Sequence, residues 1–302
     1  SRYVRQLEFS LPAGNRNPLN FVYAFYREEL VGQEKVQYRL VVRAFYVAPV
    51  IKLILPKRHT LAYSATIGNP EIFSYDTGIN GNFLSLPSPF EVEKTRVFLP
   101  IDTPNLAVKE RSRQEPTKVL RRIAKTCNRF AKKGYRSLVV VESNLERDKF
   151  LLVCGEEGVD VVSYGNGIAP KEAVAKFKQG VGEVLVGTAA NYGEGIDLPR
   201  QLAPIIFFLR PGYPSPEDPS TKFQERRFRK MFWPLTNWRV MLEALQVRGR
   251  NIRSDEDLGV TFFISQQFRR FLFASLPEWL QKAYCGDKSF EKCVEDAERL
   301  LK

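Results

Sequence analysis

The sequence predicts an α/β protein: a three-layer domain on a mainly parallel sheet, preceded by a short β-rich segment. Three observations carry this. From Ser137 to Leu209, apolar strand-like runs alternate with runs of helical period, the pattern of a parallel sheet covered by helices. The run Ser137-Leu-Val-Val-Val-Glu142 has no polar alternation, as expected of a strand buried on both faces. Residues 1–57, by contrast, are rich in aromatic residues and alternate in places, as half-exposed strands do. The expected division is therefore a β-rich segment over residues 1–57, leading in from an upstream domain, and a larger domain over residues 58–302 that ends in helices.

Composition narrows the functional classes. The 302 residues suffice for a real core, and 44% hydrophobic with 26% charged residues is ordinary for a globular protein. Lys and Arg number 46 against 34 Asp and Glu, a net charge of +12, which favours an anionic partner and nucleic acid first. No apolar run reaches the roughly 18 residues of a membrane span. The amino terminus has no signal-peptide core, and its lack of Met suggests part of a longer protein. Cys127, Cys154, Cys285 and Cys293 form no C-x-x-C pair, which speaks against a metal site. Such cysteine usage suits a reducing compartment, hence a cytoplasmic location, or a nuclear one in a eukaryote. The single histidine, His59, follows the turn-like Pro56-Lys-Arg58 and is not expected to be catalytic.

Taken in order, residues 21–26 and 37–46 read as strands joined by a turn at Gly32-Gln-Glu34. The run from Thr60 reads as a strand ending in Ser64-Ala-Thr66, stopped by Gly68 and Pro70. Residues 75–115 read as connecting loop, with short edge strands at 83–90 and 96–99. Glu115-Pro116 opens a helix whose apolar face is Val119, Leu120, Ile123, Cys127 and Phe130, and Gly134 ends it. Strands at 137–142, 159–164, 183–188 and 203–209 then alternate with helices at 145–154 and 170–179. Residues 189–200 are expected to be a loop. A proline-rich stretch leads into a basic helix at 221–233, carrying Lys222, Arg226, Arg227, Arg229 and Lys230, interleaved with Phe232, Trp233 and Trp238. Cations for phosphates and rings for bases suit a single nucleic-acid strand, although the rings could equally be core. A helix at 237–247, a strand at 260–264 and helices at 268–284 and 287–301 close the chain.

In an open parallel sheet, ligands gather at the carboxyl ends of the strands. Ser64, Thr66, Ser143, Asn144, Thr188 and the loop 189–197 are all expected there. That loop, Gly187-Thr-Ala-Ala-Asn-Tyr-Gly-Glu194-Gly195-Ile-Asp197, offers a hydroxyl, glycines whose backbone N–H groups can face phosphates, and two carboxylates. Gln246-Val-Arg-Gly249-Arg250-Asn-Ile-Arg253 reads Q-x-x-G-R-x-x-R, with two arginines one helical turn apart. Their planar, permanently charged forks match phosphate oxygens. There is neither a G-x-x-x-x-G-K-[ST] loop nor a DEAH-type box. A dinucleotide-binding enzyme is not supported, for lack of a G-x-G-x-x-G turn.

The order S-A-T, strand then S-N, G-T…E-G-x-D, and Q-x-x-G-R-x-x-R resembles the second motor domain of a superfamily 2 DNA helicase of the XPD/DinG-like group. Ser64-Ala-Thr66 is similar to motif III, Val139 to Asn144 to motif IV, Gly187 to Asp197 to motif V and Gln246 to Gly259 to motif VI. The segment Leu209 to Pro219 resembles the family's stretch between motifs V and VI. After motif VI the chain departs from the family: Ser265-Gln-Gln267 stands where an Asp and Arg are common. The resemblance implies a RecA-like fold, with ATP and Mg²⁺ held mainly by a first RecA-like motor domain of the same protein. Arg250 and Arg253 would reach the γ-phosphate as catalytic arginines. Gln246, Gly249, Glu194, Gly195 and Asp197 would position them and sense nucleotide. Ser143, Asn144 and Thr188 would hold single-stranded DNA, and Ser64 and Thr66 would couple cleft closure to strand movement. No membrane association is implied. A different class remains open at this point: a non-enzymatic RecA-like domain that binds DNA or completes a partner's site.

Overall fold

A computed structural model describes residues 21–29, 36–55, 59–64, 66–87, 90–107, 115–193, 196, 198, 202–252, 254, 256–271 and 281–302. The chain forms two compact units. One comprises residues 1–84 and 213–238, the other residues 85–212 and 239–302. The boundary thus departs from the one expected near residue 57: residues 58–84 and 213–238 join the β-rich segment.

The larger unit is built on seven strands: β3 (Val97–Phe98), β4 (Ser137–Val141), β5 (Val161–Val162), β6 (Val184–Thr188), β7 (Ile205–Phe208), β8 (Val260–Phe263) and β9 (Tyr284–Cys285). Their order across the sheet is β5-β6-β4-β7-β8-β3-β9, and every pairing is parallel. Parallel neighbours need crossovers, and helices at Glu115–Ala131, Asn144–Glu157 and Pro170–Lys178 supply them. β4, β6, β7 and β8 are buried along their whole length. This explains why they read as unbroken apolar runs. The helix Glu115–Ala131 buries the stripe expected of it, Val119, Leu120, Ile123, Cys127 and Phe130, and Gly134 follows with φ 83°. One core joins this stripe to Val139, Val141, Phe207 and Phe262 of the sheet and to Phe290, Val294 and Ala297 of the last helix, Phe290–Leu300.

Several expectations are corrected. Residues 96–99 do give a strand, but β3 lies between β8 and β9, so it is not an edge. Residues 83–87 carry no strand. The loop 189–200 opens with a short helix, Ala189–Tyr192. Of the helix expected at 268–284, Gln267–Phe271 is helical and Tyr284 lies in β9 with Cys285; residues 272–280 lie outside the described residues. Paired strands are more demanding of context than helices, since their partners are distant in sequence, which is why the two-residue β9 escapes the periodicity.

In the smaller unit, β1 (Phe21–Glu29) and β2 (Val36–Ala44) form an antiparallel hairpin with Phe25 opposite Leu40 and Tyr26 opposite Arg39. The turn expected between them lies outside the described residues. Phe45 stacks on Phe228 at 4.0 Å and meets Phe232 at 6.4 Å, and the Tyr26 hydroxyl donates to Asp218 Oδ2 at 2.9 Å. Trp238 is buried and donates from Nε1 to the Ile67 carbonyl at 2.8 Å. Phe232 and Trp238 are therefore core, whereas Trp233 is 49% exposed. The basic run is broken: one helix covers Pro219–Arg227, and a second begins at Phe232 and runs to Arg248.

Gly187 in β6 admits the Tyr192 ring, which lies where a Gly187 side chain would stand. Backbone and ring can approach so closely only at glycine. Gly187→Ala is expected to destabilise the domain by about 1–3 kcal/mol through overpacking, measured by urea unfolding; an unchanged midpoint would refute this packing role.

Candidate functional site

Two groups of polar side chains stand out in the larger unit. The first lies at the carboxyl ends of β4, β5 and β6. Ser143 caps the helix Asn144–Glu157, its Oγ accepting from the Glu146 N–H at 3.2 Å. Because β4 and β6 run in parallel with Val141 opposite Thr188, Asn144 and Thr188 come near one another. Between them stands Tyr164, two residues beyond β5, the strand that pairs with the other side of β6. Its hydroxyl donates to Asn144 Oδ1 at 3.0 Å and sits 3.0 Å from Thr188 Oγ1. Thr188 is only 6% exposed, whereas Asn144 and Leu145 face solvent. The sequence reading placed Tyr164 at a strand end and gave it no role; a tyrosine just before the Gly165-Asn-Gly167 turn was the available signal.

The second group lies beside the amino ends of β7 and β8. Asn251 Nδ2 donates to the carbonyls of Pro204, at 2.9 Å, and Val260, at 3.1 Å, tying the arginine motif to the start of both strands. Gly259 permits this, since a side chain there would meet the Asn251 amide. Arg250 donates from Nε and Nη2 to the Gly193 carbonyl at 3.0 and 2.6 Å, and from Nη1 to the Ile196 carbonyl at 2.9 Å. It thus clasps the segment that follows β6. Gly249 follows the end of the helix and is half-buried. Gln246 lines an open cleft of about 390 Å³ with Ala189, Gly193, Arg239 and Glu243. Glu194, Gly195, Asp197 and Arg253 lie outside the described residues. Ser64 and Thr66 are not part of the larger unit. They belong to the smaller unit, in an irregular exposed stretch where Leu61 and Tyr63 are each 86% exposed. The expected strand there is absent, and the Thr66 N–H bonds the Ser64 Oγ at 3.2 Å in a local turn. A short apolar run with hydroxyls needs sheet neighbours to become a strand, and this run has none.

A cluster of carboxylates ends β4. Gly212 has no side chain, and one there would lie 2.6 Å from Glu142 Oε2 and 2.7 Å from Glu243 Oε2. Glu146 accepts from Arg210 Nε at 2.7 Å and from the Glu142 N–H at 3.1 Å, so Arg210 is committed to Glu146. Burial, and then the Glu243 carboxylate, push the Glu142 carboxyl up to about 8, with Arg210 opposing.

The sheet is all parallel, with polar side chains at its strand ends and Arg250 clasped to the segment after β6. Residues 112–283, more than half of the chain, match the family model described as the helicase C-terminal domain, and the chain belongs to that family. A solved structure of XPD in its apo form shares the fold, with a TM-score of 0.52 and 16% identity, covering 74% of this chain and 47% of that one. S. tokodaii Xpd4 gives a TM-score of 0.44 at 14% identity, covering 64% of this chain and 38% of that one. The C-terminal domain of the DEAD-box protein Dbp5 gives 0.40 at 14% identity, covering 69% of this chain and 99% of that one. A comparison with curated proteins gives no match. The chain spans less than half the length of the XPD chains it resembles. The resemblance read from the motifs, to an XPD/DinG-like C-terminal helicase domain, is borne out by the family match together with the XPD fold. Among the described residues no helix is long and apolar enough to cross a membrane.

The Glu142 carboxyl binds its proton more tightly folded than unfolded, where its ordinary value is 4.5. Its favourable contribution is complete below about 4.5 and is lost as pH rises through about 8. Glu142→Gln is therefore expected to raise the melting temperature above pH 8 relative to the parent and to flatten the pH profile; parallel profiles would refute the shift.

Proposed function

We propose that this chain is the second RecA-like motor domain of an ATP-dependent DNA helicase of the XPD/DinG-like group. ATP and Mg²⁺ are held mainly by a first motor domain of the same protein, and this domain completes the nucleotide site across the cleft. The observation that carries the reading is the clasp of Arg250 on the Gly193 and Ile196 carbonyls, which joins the Q-x-x-G-R-x-x-R segment to the G-T segment within a family of helicase domains.

In this reading Arg253 is the arginine that meets the γ-phosphate, where a fixed positive charge stabilises the charge spread over the transferring phosphoryl group. Arg250 commits three of its five N–H donors to loop carbonyls, so a phosphate that draws on its remaining donors acts on a side chain already tied to that loop. It thereby links nucleotide state to the segment running from Thr188 to Ile196. Gln246 lines the cleft beside Gly193 and is placed to contact nucleotide, and Glu194, Gly195 and Asp197 complete the loop that carries the signal. Residues compatible with a triphosphate are thus present on this side: a cleft-lining amide, an adjacent Arg239 and the motif arginines. When bound, ATP would bridge the two motor domains and favour their closure, and its hydrolysis would release that closure.

Single-stranded DNA runs over the carboxyl ends of β4, β5 and β6, where Ser143 and Asn144 begin a helix. Backbone N–H groups at a helix start favour phosphate. The net charge of +12 supports a phosphate-tracking grip that needs no base readout. Ser64 and Thr66 couple closure to strand movement from the smaller unit.

In the complete enzyme, Arg253→Ala is expected to lower ATP turnover about 10³–10⁵-fold with an unchanged melting temperature. Arg250→Ala is expected to lower turnover and also the melting temperature, because three hydrogen bonds to the loop go with it. Near-normal turnover in the Arg253 variant would sink the assignment.

A further inference from the structure

Tyr164 has no role in the reading above, yet both Asn144 and Thr188 are bound through it. Its hydroxyl carries one hydrogen. That hydrogen is directed to Asn144 Oδ1, at 3.0 Å. The contact to Thr188 Oγ1, also 3.0 Å, must then use the threonine's hydrogen, and the Thr188 N–H approaches the same tyrosine oxygen at 3.4 Å. Thr188 Oγ1 in turn accepts from Asn191 Nδ2 at 3.1 Å. The hydroxyl of this 6% exposed threonine is therefore engaged inward on both counts.

Asn144 is in the opposite situation. Its carbonyl oxygen is fixed on Tyr164, which turns its Nδ2 donors away from the tyrosine, and the residue is exposed. The tyrosine itself is seated firmly. The Arg147 guanidinium lies 4.4 Å from the ring centroid, and the Tyr192 ring meets it edge-on at 5.7 Å. Arg147 is in turn paired with Asp148 at 2.6 Å. A free asparagine amide has two nearly equivalent orientations, only one of which offers donors outward. An O–H on its oxygen selects that one.

We propose that Tyr164 is a positioning residue that presents the Asn144 amide to a backbone phosphate of single-stranded DNA, with Thr188 anchoring Tyr164 rather than touching the phosphate. The inference rests on the DNA-binding reading and makes it more specific. It assigns the direct contact to Asn144, makes Thr188 indirect and adds a residue from the segment just after β5 to the grip.

The test is a double-mutant cycle in DNA affinity. Anisotropy of a short fluorescein-labelled oligo(dT) is followed as the full chain is added, at two salt concentrations. Asn144→Ala, Tyr164→Phe and Thr188→Val are each expected to weaken binding about three- to tenfold, the scale of one hydrogen bond. The Tyr164 and Thr188 variants are expected to add nothing in the Asn144→Ala background. None removes a charge, so the slope of affinity against salt stays constant. Additive losses, or a Tyr164→Phe variant that binds as well as the parent, overturn the inference; Tyr164→Phe keeps the ring and its Arg147 contact, so lost folding does not obscure the result. Salt-sensitive binding untouched by any of the three variants defeats the inference alone. Absence of salt-sensitive oligo(dT) binding by the parent defeats the DNA-binding reading itself.

Discussion

The parallel register of β4 against β6, with Val141 opposite Thr188, is the constraint on which the site depends. Backbone hydrogen bonds hold two strands from distant parts of the sequence at a fixed offset, so their carboxyl ends coincide. Asn144, the first residue of the following helix, and Thr188 are thereby brought within reach of one tyrosine hydroxyl. β5 pairs with β6 from its other side and delivers that tyrosine. Slipping either register would part the three residues and would also move the buried faces of the strands out of the core.

The segment after β6 carries this order across the domain. Gly187 lets Tyr192 fold back over the strand, and Tyr192 supports Tyr164 from its edge. A few residues on, Arg250 holds the Gly193 and Ile196 carbonyls. Gly193 is a glycine for a local reason, since a side chain there would run into the Ala189 carbonyl. One short stretch therefore touches the strand-end cluster at its start and the arginine motif at its end.

The carboxylates beside Gly212 show the same economy of space with a different consequence. Glu142 and Glu243 approach because Gly212 leaves room, and Arg210 is already committed to Glu146. Burial and the nearby Glu243 carboxylate favour a proton on Glu142. Glu243 stands one helical turn before Gln246, so this proton sits close to the cleft that Gln246 lines.

The sequence by itself determined the elements whose signal is local and the motifs that place the chain in its family. Long helices declare themselves through a stripe such as Val119 to Phe130, and doubly buried strands through unbroken apolar runs, because each is a property of neighbouring residues. The G-T and Q-x-x-G-R-x-x-R motifs were legible for the same reason. Only the tertiary structure decided which of these residues meet. It put Asn251 and Arg250 at the amino ends of β7 and β8 rather than with Asn144, left Ser64 and Thr66 in the smaller unit, and placed Tyr164 between Asn144 and Thr188. Strand order and register are set by pairing between segments far apart in the chain, and no local pattern encodes which pairs form.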